Sequence, residues 1–170
     1  MIELKSIKLP LLLLIAFSML TVLCKPAQTT AESRSTEIRL KKLLKSRIYR
    51  FIPQSVQTQS GRSFPVNSYS FNLHKDSLVS YLPYFGVAYS APIASSRSPL
   101  DFTSTDFTYT SQAGKKGKNS INITLNDNFT DAQELYLDVS SSGYATLNVR
   151  FNNRQSISFY GQISEIPAKR

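Results

Sequence analysis

In four successive stretches of the C-terminal half, apolar side chains occupy every second position. Ile121, Ile123 and Leu125 alternate with Asn122 and Thr124, and Leu135, Leu137 and Val139 alternate with Tyr136 and Asp138. Ala145, Leu147, Val149 and Phe151 repeat the pattern, and Ile157 and Phe159 begin it again. A period of two fits a strand with one face on a core and the other in water, and does not fit a helix. Earlier, Tyr69, Phe71 and Leu73 alternate with Ser70, Asn72 and His74; Lys75-Asp76 then makes a turn before a further strand, "SLVSYL". Gly143 in "SSSGYA", Asn152-Asn153 in "FNNRQ" and the glycines of "AGKKGKN" supply residues that tolerate positive φ at hairpin spacing. Between Phe102 and Phe107 the apolar phase inverts, which marks a bulge or bend. From Leu100 to Ile166 the chain reads as a meander of hairpins, and "PQSVQTQSGRSFPVNS" and "SAPIASSRSPL" read as loops. The result is roughly eight to ten short strands with no βαβ spacing, so the class is mainly β. Closure into a small antiparallel barrel would hide the sheet edges; a strongly curled open sheet is the alternative, and the pattern leaves both open.

One segment breaks the rule of two. In "SRSTEIRLKKLLKSRIYRFI", Leu40, Leu43, Leu44, Ile48 and Phe51 are spaced by threes and fours, which predicts an amphipathic helix over 32–48. Ser33 or Ser35 would cap its start, and Glu37 favours the positive end of its dipole. Lys41, Lys42 and Lys45 fall on the other face. Such a helix either docks on the domain with its basic face solvated or is drawn to an anionic membrane or partner.

Ahead of the helix, Lys5 and Lys8 precede the apolar run "LPLLLLIAFSMLTVL", Leu9 to Leu23. It is shorter than the ~20 residues a transmembrane helix needs and has the layout of a signal peptide. Thr29 and Ala31 fit a small-x-small cleavage site, so the mature chain is expected to start near Glu32. The expected organisation is a signal peptide over 1–31, the basic helix over 32–48 and the β-barrel domain over 49–170. Cys24 is the single cysteine and a candidate lipidation site, although Leu23 before it is larger than a lipoprotein peptidase prefers. An exported domain without a disulfide suits a Gram-negative periplasm or association with the outer membrane.

The formal net charge of +9 suggests nucleic acid until it is located. Residues 51–168 hold eight basic and eight acidic residues, so beyond the N-terminal leader the excess sits in the helix segment and the last two residues. A neutral body argues against nucleic acid as a partner, which calls for a basic patch interleaved with aromatics.

Catalytic constellations are sparse. His74 is the only histidine, no G-x-S-x-G occurs, and one His with no mature Cys does not make a zinc site. "NDNFTD", Asn126 to Asp131, gathers oxygen atoms but lacks the Gly and the distal Glu of a calcium loop. The sequence is read as that of a non-enzyme with no cofactor and no metal. Its aromatics gather instead in "SYLPYFGVAYSAPI". There Pro83 interrupts a strand, Gly86 permits a sharp turn, and Tyr81, Tyr84, Phe85 and Tyr89 surround them. These four are the candidate ligand-binding residues. They form either a folded corner of the core or the aromatic mouth of a barrel, and barrels of about eight strands can hold one small ligand.

"SYLPYFGVAYSAPI", "SPLDFTSTDFTY", "KKGKNSINI" and "FNNRQSISFYGQI", in this order, resemble a family of small exported proteins of Bacteroides-type bacteria, the domain of unknown function 4251. The resemblance runs from about Ile48 to Ile166. It implies a lipocalin-like antiparallel barrel located beyond the inner membrane, and it supplies no activity or site residues. It also implies that Asp76-Ser77-Leu78 matches an O-glycosylation pattern of that lineage, with Ser77 as the acceptor. The expected function is therefore a non-enzymatic barrel that binds a small apolar or amphipathic ligand in the cell envelope. The alternative is a solid-packed module that binds an envelope protein. Membrane association would come only through a lipid on Cys24 or through the basic helix.

Overall fold

The computed structural model describes residues 30–90, 97–127 and 130–167. Cys24 and the apolar N-terminal run lie outside these residues, and no described helix is long and apolar enough to cross a membrane. One helix, α1 (Thr30–Ser46), precedes ten strands among the described residues. These are β1 (Tyr49–Thr58), β2 (Ser63–Pro65), β3 (Ser70–Leu73), β4 (Leu78–Tyr81), β5 (Asp101–Ser104), β6 (Phe107–Ala113), β7 (Asn119–Leu125), β8 (Ala132–Val139), β9 (Tyr144–Phe151) and β10 (Ile157–Ser164).

All ten join one antiparallel sheet in the order β5-β4-β3-β1-β10-β9-β8-β7-β6, with β2 attached to β1. The two edge strands, β5 and β6, are neighbours in sequence, separated only by Thr105 and Asp106. The ladder can hold both only by curling round until its edges nearly meet. Eight antiparallel steps also give β5 and β6 the same sense, so they act as one strand whose first half pairs with β4 and second half with β7. Counted in this way the barrel has an even number of strands, which antiparallel closure requires. The phase inversion in the sequence is this break: Phe102 and Ser104 lean inward before it, Phe107 and Tyr109 after it. From β6 to β10 the hairpin meander is as expected, whereas β5 and β6 do not form a hairpin.

Three further expectations need correction. "PQSVQTQSGRSFPVNS" is not a loop throughout, because β1 continues to Thr58 and returns as β2 through a turn at Gly61 (φ 82°). The alternation was hidden by a bulge: Pro53 pairs with Gly161 but Ser55 with Tyr160, leaving Gln54 over. At the other end, α1 stops at Ser46 rather than at residue 48, and Arg47 turns the chain at φ 55°. Ile48 and Phe51 are not on the helix; Tyr49 and Phe51 are buried from β1. Nor does a serine cap the start, since the helix begins at Thr30 and the Ser35 hydroxyl donates to the Glu32 carbonyl within it.

Inward-facing residues make one core. Phe51, Phe71, Leu73, Leu78, Leu135, Leu137, Leu147, Val149 and Phe159 all have 0% exposure. A side chain lining a hole large enough for one water would show some surface to it, so around these residues the interior is solid. Leu40 and Leu44 of α1 complete the core at one end, near the β6–β7 and β8–β9 turns.

Candidate functional site

The aromatic segment lies at the opposite end of the barrel from α1, where β4 stops. Leu82 is still buried, its amide donating to Leu100 O, but Pro83 has no N–H to continue the ladder and the chain turns. The turn folds Tyr84 back over Gly86, where any Cβ would land on the tyrosine hydroxyl. Glycine is the residue that leaves this space open.

Tyr84 then reaches the β9–β10 connection. Its hydroxyl lies 2.9 Å from Gln155 O and 3.2 Å from Val87 O, and its ring meets Phe151 edge-on at 5.1 Å. The backbones pair as well: Gln155 N donates to Val87 O, Tyr89 N donates to Asn153 O, and Ala88 bridges Arg154. Arg154 lies 5.6 Å from the Tyr84 ring centre and bonds Asp131 at 2.6 Å, with little of either side chain in water. Burial pushes the Tyr84 phenol above its usual range, opposed by the Arg154 charge and reinforced by Asp131. The arrangement is a latch across the end of the barrel. Asp131, part of the oxygen-rich stretch in the sequence, serves the latch through this ion pair.

The four candidate residues do not converge on one cavity. Tyr84 belongs to the latch. Phe85 packs on Phe64 of β2 at 5.3 Å, and Tyr81 packs on Tyr69 at the same separation. Tyr89 projects furthest, 69% exposed, with Val87 beside it in sequence at 60%. Phe85, Tyr81 and Phe64 are half in water. Together they form an aromatic ledge around the latch. Phe64 escaped the sequence analysis because it lies in the stretch taken for a loop. Gln155 and Arg154 were visible only as a turn, since nothing local connects them to a tyrosine about 70 residues earlier. Ser77 is half-buried in the β3–β4 turn, where its carbonyl accepts from the His74 amide.

On the outside of the sheet a trough of about 600 Å³ runs over β7 to β10. Ala145 and Gly161, paired across β9 and β10, line it together with Tyr144 and Tyr160. Its polar groups are already engaged in part: Ser120 donates to Asp138 and Tyr160 to Gln57.

Residues 31–163 match the sequence profile of a family described as "Domain of unknown function (DUF4251)". The chain belongs to this family. Among solved structures, it is similar to the 1.95 Å crystal structure of a DUF4251 family protein from Bacteroides eggerthii DSM 20697. That likeness has a TM-score of 0.58 at 12% identity and covers 81% of this chain and 92% of the other, so it speaks to the fold alone. No curated protein matches. Two of the four stretches that carry the DUF4251 resemblance, "SYLPYFGVAYSAPI" and "FNNRQSISFYGQI", hold the two halves of the latch.

Proposed function

We propose that this DUF4251 chain is an exported, non-enzymatic interaction module that binds an envelope protein through the aromatic ledge around its latch. The observation that carries the reading is the solid interior: Phe71, Leu137, Leu147 and Phe159 leave no space there for a small apolar ligand. Recognition then falls to the outside. The ledge offers Phe64, Tyr81, Phe85, Val87 and Tyr89 in water, a composition typical of contact centres between proteins. Paired rings half in water suit a flat or grooved protein surface better than a small molecule, which needs enclosure. The body carries no net charge, so the favoured partner is an envelope protein with an uncharged, apolar acceptor surface.

A photo-crosslinking residue placed at position 85 or 89 in cells tests this. The same single protein should be captured from both positions and not from Lys116 at the far end. Its complex with the purified chain should be lost in the Phe85→Ser/Tyr89→Ser variant, whose thermal midpoint stays within about 2 °C. Capture from Lys116 as well, or no capture, overturns the reading. A native mass a few hundred daltons above the chain mass would favour the small-ligand alternative instead.

A further inference from the structure

At the α1 end the barrel interior changes character. The inward positions of β6 run Phe107, Tyr109, Ser111, Ala113, and Ser111 pairs with Ile121 and Ala113 with Asn119 of β7. The apolar face thus gives way to small and polar residues just where α1 passes. Between them lies a pocket of about 360 Å³, walled by Lys41, Leu44 and Lys45 of α1, by Arg47, by Tyr109, Ser111 and Ala113, and by Asn119. Three of its walls are cations and none is a carboxylate. Lys41 is held by Glu37 at 2.6 Å, one turn back on the helix. Lys45 and Arg47 have no carboxylate partner among the described residues; the Arg47 guanidinium lies 4.6 Å over the Tyr109 ring.

Beneath this pocket two hydroxyls are stranded. Those of Tyr49, which is wholly buried, and Tyr109 lie close enough to interact, and Ser111 lies within reach of Tyr109, yet neither tyrosine completes a hydrogen bond of good geometry. A buried hydroxyl without a partner costs about 1–3 kcal/mol, so native structures seldom leave one unless something else comes to meet it. Cations above and hydroxyl donors below describe the surroundings of a compact oxyanion.

We propose that this pocket binds a phosphate monoester, with Lys45 and Arg47 meeting its charge and Tyr109, Ser111 and Asn119 donating to its oxygens. Tyr49 supports Tyr109 from below. The phosphate belongs either to a free ester or to a lipid headgroup, and the site is independent of the aromatic ledge at the other end.

The test titrates the full chain with inorganic phosphate and with glycerol 3-phosphate, following backbone amides by NMR. In parallel, it measures sedimentation with phosphatidylcholine vesicles, with and without phosphatidic acid. Saturable shifts at Ser111 and Asn119 are expected, or binding only to vesicles that contain phosphatidic acid; the first outcome marks a free ester and the second a headgroup. Lys45→Ala and Arg47→Asn should each weaken binding about ten-fold or more. Asn is chosen at 47 because it tolerates the positive φ there. Tyr109→Phe should weaken it a few-fold, and Lys115→Ala, outside the pocket, should leave it unchanged. No saturable response to any probe overturns the proposal. So does an equal loss in Lys115→Ala, which would mean diffuse charge attraction.

Discussion

At Gly161 any side chain would have to occupy the space of the Ile52 carbonyl on β1. The bulge at Gln54 pushes that backbone toward β10, so the two features require each other. Gly161→Ala is expected to cost about 2–4 kcal/mol in urea denaturation, because the obstacle is backbone that cannot rotate away. Gly114→Ala, whose Cβ would find its nearest neighbour at 3.4 Å, should stay within about 1 kcal/mol. Equal losses would refute the steric account. The tyrosines make a second expectation. Burial, with the neighbouring Tyr109, pushes the Tyr49 phenol well above 10.0, and burial raises Tyr109 as well. A proton held more tightly in the folded state than in the unfolded one stabilises the fold in full below the unfolded pKa of 10.0 and is lost as pH rises through the folded pKa. Stability should therefore fall steadily above about pH 10, and Tyr49→Phe should flatten that fall in urea midpoints measured across pH 8–11. Single residues were legible only where they were local punctuation. Pro83 and Gly86 announced a turn, but the Tyr84 hydroxyl's partners lie in another hairpin and leave no local trace.

Elements were legible in proportion to how strictly their inward positions are apolar. β7, β9 and, from Leu135 onward, β8 bury an unbroken alternation and could be read directly, the bulge at Gln133 lying ahead of that run. β1 could not, because its bulge shifts the phase and its last inward residue is Thr58. Helix α1 was overrun by two residues because Leu44, Ile48 and Phe51 keep helical spacing across the turn at Arg47. Its real anchors are Leu40 and Leu44. Leu44→Ala should cost about 2–4 kcal/mol by thermal or chemical denaturation, while Ile38→Ala, 64% exposed, should cost under about 0.5 kcal/mol. The latch makes a coupled unit. Asp131→Ala leaves the Arg154 charge unpaired and is expected to cost about 1–3 kcal/mol. Tyr84→Phe removes one hydroxyl and should cost about 1 kcal/mol. A double-mutant cycle between them should show a coupling of about 0.5 kcal/mol or more; simple additivity would mean that the ion pair and the tyrosine act separately.

Across the whole molecule, class and antiparallel topology were present in the sequence pattern, whereas closure was not. Alternation specifies two faces for each strand but not how far a sheet curls, and a solid interior depends on how Phe51, Phe71 and Phe159 fit against one another. The aromatic segment was legible as either a corner or a mouth, and only the three-dimensional packing separates Tyr84 from the outward rings around it. Closure itself depends on a length of chain divided at Thr105–Asp106. Ser104 and Asn126 both hydrogen-bond Asp106 there, a small clamp at the division. Because β5 is bonded only to β4 and β6 only to β7, each half keeps one row of amides outside the ladder. Deuterium should enter 101–113 well before β8, β9 and β10 in native-state exchange, and protection there equal to β9 would count against the split strand. The ring of strands therefore has a built-in weakest line, running lengthwise, along which it will yield before its centre does.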